Sequence, residues 1–157
     1  MTIIRRATDA DIAPVLRLAQ RMWSAAPALR DVPLDAERVA TVAYRLVAAG
    51  TLLVVDIEGG AVAGFMAYLV APDSWSGVPT ASELALYVAP EYRGAGHSSR
   101  LLAVAEAHAR DAGARSFTSG TSLGDPSEAA CVTYTRAGWV EVGRCYRKRL
   151  EVPAPVA

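Results

Sequence analysis

The stretch from Glu83 to Ser119 constrains the fold more than any other part of this chain. Glu83 to Val88 reads as a strand, Gly94-Ala95-Gly96 as a tight turn, Ser98 to about Ala112 as a helix closed by Gly113, and Ser116 to Ser119 as a further strand. A hairpin turn returns the chain antiparallel, whereas a helix carries it across the sheet face. The two strands of this unit therefore form a βαβ crossover and run parallel.

The flanking segments add antiparallel neighbours. A strand from Ile3 to Arg6 precedes a helix on which Ile12, Val15, Leu16, Ala19, Met22 and Trp23 recur at helical spacing, with Thr8 placed to cap its start. After a loop with Pro27 and Pro33, a second helix runs from roughly Asp35 to Ala49. Val39, Val42, Ala43 and Leu46 form its apolar stripe, and Gly50 stops it. Leu52 to Ile57 and Val62 to Val70 flank Glu58-Gly59-Gly60 and read as a hairpin, followed by a Pro/Ser/Gly loop from Ala71 to Thr80. Beyond Ser119, Asp125-Pro126-Ser127-Glu128 reads as a capping box that opens a short helix ending near Ala137-Gly138. Trp139 to Val142 and Cys145 to Leu150 alternate as a last hairpin. The order is β-α-α-β-β-β-α-β-α-β-β, an α/β (α+β) chain with a mixed, mostly antiparallel central sheet.

With 157 residues, 52% of them apolar, the chain has material for one core, expected over residues 1–151 with a flexible Pro-rich tail at 152–157. Sixteen basic and sixteen acidic residues balance to zero, which disfavours broad attraction to nucleic acid or an anionic membrane and argues against a strongly cationic ligand such as a polyamine. No stretch is apolar enough to span a bilayer, and the N-terminus lacks a secretory pattern, so a cytoplasmic protein is expected. Cys131 and Cys145 lack metal-ligand spacing and read as reduced core thiols. His97 and His108 read as surface histidines, and no metal site is expected.

Chemistry enters at Val88-Ala89-Pro90-Glu91-Tyr92-Arg93-Gly94-Ala95-Gly96-His97-Ser98. Two glycines permit a tight turn just where a helix presents its first unpaired amides, the arrangement a pyrophosphate needs. Many strand-to-helix turns use glycine without any ligand, so the turn alone leaves both readings open. It is not a P-loop, since no Gly-Lys-Ser/Thr follows. A dinucleotide fingerprint would need a third glycine and a later acidic residue.

The run Arg93-Gly94-Ala95-Gly96-His97-Ser98, with Leu86 to Tyr92 before it and Leu101-Leu102 after it, resembles the Arg/Gln-x-x-Gly-x-Gly/Ala motif of the GNAT N-acetyltransferases. Ser98 departs from that motif's final small residue. Tyr134-Thr135-Arg136-Ala137-Gly138-Trp139 resembles the family's Tyr-x-x-x-Gly-Phe signature, and Ser127 stands where many members have Asn. The element order is also the family's. The resemblance implies a GNAT fold that binds acetyl-CoA between the strands Glu83 to Val88 and Ser116 to Ser119. Pantetheine would pair with the backbone of Tyr87, Val88 and Ala89, and the diphosphate would rest on amides of Arg93, Gly94, Ala95, Gly96, His97 and Ser98.

The implied activity is transfer of acetyl to a primary amine of a small molecule or peptide. An amine that is ammonium at neutral pH must lose a proton before it attacks, and the departing thiolate must gain one. Glu83 matches a position where some members keep a catalytic glutamate, and reads equally as an exposed strand-end carboxylate. Tyr134 matches the family's general-acid tyrosine, or is a core aromatic on a helix. Arg93 is either a phosphate contact or a solvated loop arginine. Trp75 either walls the acceptor site or plugs the core. Arg144, Arg147, Lys148 and Arg149 read as a solvated face, or as cations that meet the CoA 3′-phosphate. A module of the same fold that binds acyl-CoA without turnover is the rival reading, and the pattern leaves a homodimer open.

Overall fold

The computed structural model describes residues 2–29, 32–120 and 129–143. Their strands are β1 (Thr2–Arg6), β2 (Leu52–Ile57), β3 (Ala61–Pro72), β4 (Pro79–Val88) and β5 (Phe117–Thr118). Their α-helices are α1 (Ile12–Ala25), α2 (Ala36–Ala49), α3 (His97–Asp111) and α4 (Ala129–Arg136). The sheet order follows the chain, β1-β2-β3-β4-β5, antiparallel up to β4 and parallel between β4 and β5. The crossover through α3 is thus present as the sequence predicts.

Strand β2 shows why helices cover both faces. Its continuous apolar run sends Leu52 and Val54 toward α1 and α2, and Leu53 and Val55 toward α3. Helix α1 buries Ile12, Val15, Leu18 and Ala19 on one stripe. Its approach is fixed by Asp11, whose carboxylate accepts the Thr8 amide at 2.7 Å, the Thr8 hydroxyl at 2.9 Å and two Arg5 nitrogens at 2.7 and 2.9 Å. Asp35 caps α2 by accepting the Arg38 amide, and Gly50 ends the helix in the left-handed region. Of the expected α2 stripe, Ala43 and Leu46 are buried, but Val42 is 39% exposed. It lies at the margin of the stripe, where the helix turns away from the sheet.

The β3–β4 hairpin is longer than expected, and the loop predicted for Ala71 to Thr80 shrinks accordingly. The cause is Asp73, which accepts the amides of Trp75 and Ser76 and the Ser76 hydroxyl. Its own amide donates to the Val78 carbonyl, closing the ladder. Along this hairpin Ala67 opposes Ala85 and Tyr68 opposes Glu83, so Leu84 is an extra residue, a β-bulge on β4.

The predicted strand Ser116 to Ser119 contracts to Phe117–Thr118, which among the described residues pairs with Ala81 and Ser82. Trp139 to Val142 does not form the predicted strand. Trp139 is held instead by side-chain contacts, and the segment's expected partner, Cys145 to Leu150, lies outside the described residues. So do Asp125 to Glu128, including Ser127, the basic group Arg144, Arg147, Lys148 and Arg149, and the tail at 152–157.

Candidate active site

The bulge at Leu84 organises the edge of β4. The Ala81 amide donates to Ser116 and so faces β5, while the Ala89 amide donates to the Ala63 carbonyl and so faces β3. Backbone groups alternate along a strand, and the extra residue at Leu84 shifts that alternation by one. Of the three residues expected to pair with a ligand, Tyr87 and Ala89 consequently turn to β3, and Val88 turns to the gap beyond the end of β5. The Val88 carbonyl is already engaged by Arg93 Nε at 3.0 Å.

Glu83 sits just before the bulge, where β4 loses its partner. It is half-buried, not the exposed strand-end carboxylate of one reading. Its Oε2 accepts the Tyr134 hydroxyl at 2.8 Å and also accepts the Ser119 hydroxyl. Burial pushes Glu83 above the usual glutamate range, and the two donated hydrogen bonds only partly offset this. Burial and the neighbouring Glu83 charge push Tyr134 up as well, so it holds its proton at neutral pH.

A row of rings positions that tyrosine. Tyr68 meets Phe117 at 5.4 Å, Phe117 meets Trp139 at 5.3 Å, and Trp139 meets Tyr134 at 5.4 Å between centroids. The Trp139 indole donates to Glu106 Oε1 on α3 at 2.6 Å, which anchors the end of the row.

On the other side of the gap lies the glycine turn. Gly94 and Gly96 have φ of +84° and +73°, a region L side chains rarely adopt, and open space lies where their Cβ atoms would be. The first closed bond at the start of α3 joins the Arg100 amide to the Gly96 carbonyl at 3.1 Å, so among the described residues the His97, Ser98 and Ser99 amides have no backbone acceptor at the helix end. Arg93 folds back along β4, with its guanidinium carbon 5.8 Å from the Tyr87 ring centroid. Arg21 of α1 forms a two-pronged ion pair with Glu91, 2.8 Å on each arm, and so braces the approach to the turn.

Several expected placements are corrected. His97 is buried, because as the first residue of α3 it turns inward, where its Nδ1 accepts from Arg100 at 2.6 Å. Burial and the Arg100 charge lower its pKa. His108 is half-buried rather than on the surface. Cys131 is exposed, not a core thiol, since it lies on the outer side of α4. Trp75 is 97% exposed at the tip of the β3–β4 hairpin and plugs no core. Among the described residues no cluster of three or more acidic, histidine or cysteine side chains is arranged for a metal, and no helix is long and apolar enough to cross a membrane.

The acetyltransferase (GNAT) family profile matches residues 15–139. The chain belongs to the GNAT acetyltransferase family. No curated protein matches the sequence. Solved structures share the GNAT fold with it. The aminoglycoside N-acetyltransferase AAC(6′)-Iy, in complex with a bisubstrate analogue built on CoA, is 20% identical with a TM-score of 0.73, covering 96% of this chain and 99% of that one. The aminoglycoside 6′-N-acetyltransferase AAC(6′)-Ih from Acinetobacter baumannii is 15% identical at TM-score 0.73, with 97% and 99% covered. A ribosomal-protein-alanine N-acetyltransferase from Brucella melitensis is 16% identical at TM-score 0.71, with 96% and 100% covered.

Within this GNAT fold, Ser119 is the residue beside the candidate pair Glu83 and Tyr134 that sequence reasoning missed. Its signal was position: a hydroxyl at the carboxyl end of a parallel strand, beside a gap between strands.

Proposed function

We propose that this GNAT protein transfers the acetyl group of acetyl-CoA to a primary amine of a small molecule or peptide, with Glu83 as the base and Tyr134 as the acid. The observation that carries this reading is the 2.8 Å hydrogen bond from Tyr134 to Glu83 at the mouth of the β4–β5 gap. The left-handed turn at Gly94 and Gly96 and the free amides before Arg100 suit a diphosphate, and the Val88 edge suits an amide-bearing arm. Acetyl-CoA, when bound there, supplies an activated acyl carbonyl and a thiolate leaving group.

Glu83 takes the proton of the incoming ammonium, for which its raised pKa makes it a stronger base than an exposed glutamate. While Glu83 is charged, Tyr134 is a poor acid. Once Glu83 is protonated that charge is gone, and Tyr134 releases its proton more readily toward the departing sulfur. The proton on Glu83 then crosses to the phenolate along the existing hydrogen bond. One proton has moved from nitrogen to sulfur, the second proton that the ammonium nitrogen sheds on becoming an amide leaves to solvent, and both side chains are restored. Ser119 is a positioning residue that holds the Glu83 carboxylate in place.

The test is thiol release from acetyl-CoA over a panel of amines, with Glu83→Gln, Tyr134→Phe and the double variant. A relay predicts that the double variant is hardly slower than either single one. CoA binding without thiol release for any amine would leave a binding module instead.

A further inference from the structure

Between α1, α2 and the sheet lies a cavity of about 150 Å³ whose fourteen lining residues are all apolar. Val15 and Ala19 of α1, Val39 and Ala43 of α2, and Phe65 and Ala85 of the sheet form its walls. At its rim Leu84 is 49% exposed and Val42 is 39% exposed, so solvent reaches it from the side of α1 and α2. It differs from the Glu83–Tyr134 cluster, which lies on the α3 and α4 face. The two face opposite sides of the sheet but meet at the edge of β4 beyond Ser82, the last residue paired with β5: Leu84 and Ala85 directly follow Glu83, with about 7 Å between the α-carbons of Glu83 and Ala85, so an acceptor seated in the cavity reaches the gap around that edge.

We propose that this cavity seats the side chain of the acceptor, and that the acceptor is a primary amine carrying one aryl or branched-alkyl group of about benzene size. The proposal rests on the acetyl-transfer reading above. Size supports it, because an engineered apolar cavity of about 150 Å³ accepts benzene. Composition supports it too. A wall without a carboxylate or any other side-chain acceptor, whose one polar group, the Trp23 indole N–H, is already given to the Val32 carbonyl, cannot repay the desolvation of a polycation, whereas it gains by burying a hydrocarbon. The direction of opening favours the acceptor over a long acyl chain. An acyl group enters from the gap beside the glycine turn at the start of α3, while this mouth faces solvent across the sheet.

The experiment compares phenethylamine with ethanolamine as acceptors for acetyl-CoA, in the wild type and in two cavity-filling variants, Ala43→Leu and Val39→Phe. Thermal shift with phenethylamine is measured in parallel. The expected result is kcat/KM about 10- to 100-fold higher for phenethylamine in the wild type. Either filling variant that keeps its thermal midpoint and its CoA affinity should collapse that ratio through KM and abolish the phenethylamine-induced shift. Acetylation of ethanolamine at equal or higher kcat/KM would overturn the proposal while leaving acetyl transfer intact. So would faster turnover of octanoyl-CoA than acetyl-CoA that is lost on filling, which would make the cavity an acyl site. A phenethylamine shift that is lost on filling, together with no thiol release for any amine, would uphold the pocket and remove the acetyl-transfer reading.

Discussion

A Cβ at Gly64 would lie 2.6 Å from the carbonyl oxygen of Tyr87. The two strands approach so closely here that only a hydrogen fits between them, and Gly64 stands opposite Val88, the residue whose backbone faces the gap. Gly64→Ala should push β4 outward and destabilise the fold by about 1–3 kcal/mol, as overpacking does. Chemical denaturation measures this; an unchanged midpoint would mean the strands separate without strain.

Glu83→Gln should slow acetylation at neutral pH, with a defect that shrinks as pH rises toward the amine's own pKa, about 10 for an alkylamine. Stability should change in the opposite sense. Because the folded protein holds Glu83 above its ordinary value of 4.5, the wild type loses stability as pH climbs from there through the raised value, and the variant lacks that loss. Unfolding midpoints of the two proteins should therefore diverge from acid toward neutral pH. Parallel pH–rate profiles would take the base role away from Glu83.

Tyr134→Phe should keep CoA affinity and lower kcat. It also removes a hydrogen bond that holds Glu83 down, so the acidic limb of the rate profile should move to higher pH. A lower rate with an unmoved limb would separate the two side chains.

Gly96→Ala should lose stability by about 1 kcal/mol even without ligand, because the backbone there is left-handed. If the turn holds a diphosphate, CoA affinity measured by calorimetry should fall further than stability does. Equal losses would make the glycine a structural turn only.

Asp11→Asn should be less stable than the wild type at neutral pH. The Arg5 guanidinium holds the Asp11 carboxyl down to about 2, so its contribution is present above the ordinary value of 3.8 and is lost as pH falls through about 2. The gap between the two proteins should close over that acid range. A constant gap would assign the effect to packing.

The elements legible in the sequence were those with their own periodicity or punctuation: α1, α2, the β2–β3 hairpin and the βαβ unit. Those that failed depend on distant partners. Trp139 to Val142 alternates as a strand does, yet its tryptophan is held by Phe117, Tyr134 and Glu106, contacts that alternation does not encode. His97 looked solvated because nothing local shows which way the first residue of a helix turns. Family resemblance points to Glu83 and to Tyr134 separately. Their hydrogen bond spans 51 positions and follows from the bulge at Leu84 and the row of rings, neither of which a linear pattern displays.

The β4–β5 ladder lasts only two residue pairs. Among the described residues, backbone pairing knits β1 to β4 into one slab, while β5 and α4 are fastened by aromatic contacts, the Trp139–Glu106 bond and the hydrogen bonds of Ser119 and Tyr134 to Glu83. That arrangement predicts two cooperative units of unequal depth. Amide hydrogens of α4 should exchange through a shallow opening that leaves the slab intact, and those of β2 and β3 only when the whole chain unfolds. Whatever bridges the gap would be the missing rung, so its concentration would govern how often the smaller unit swings away.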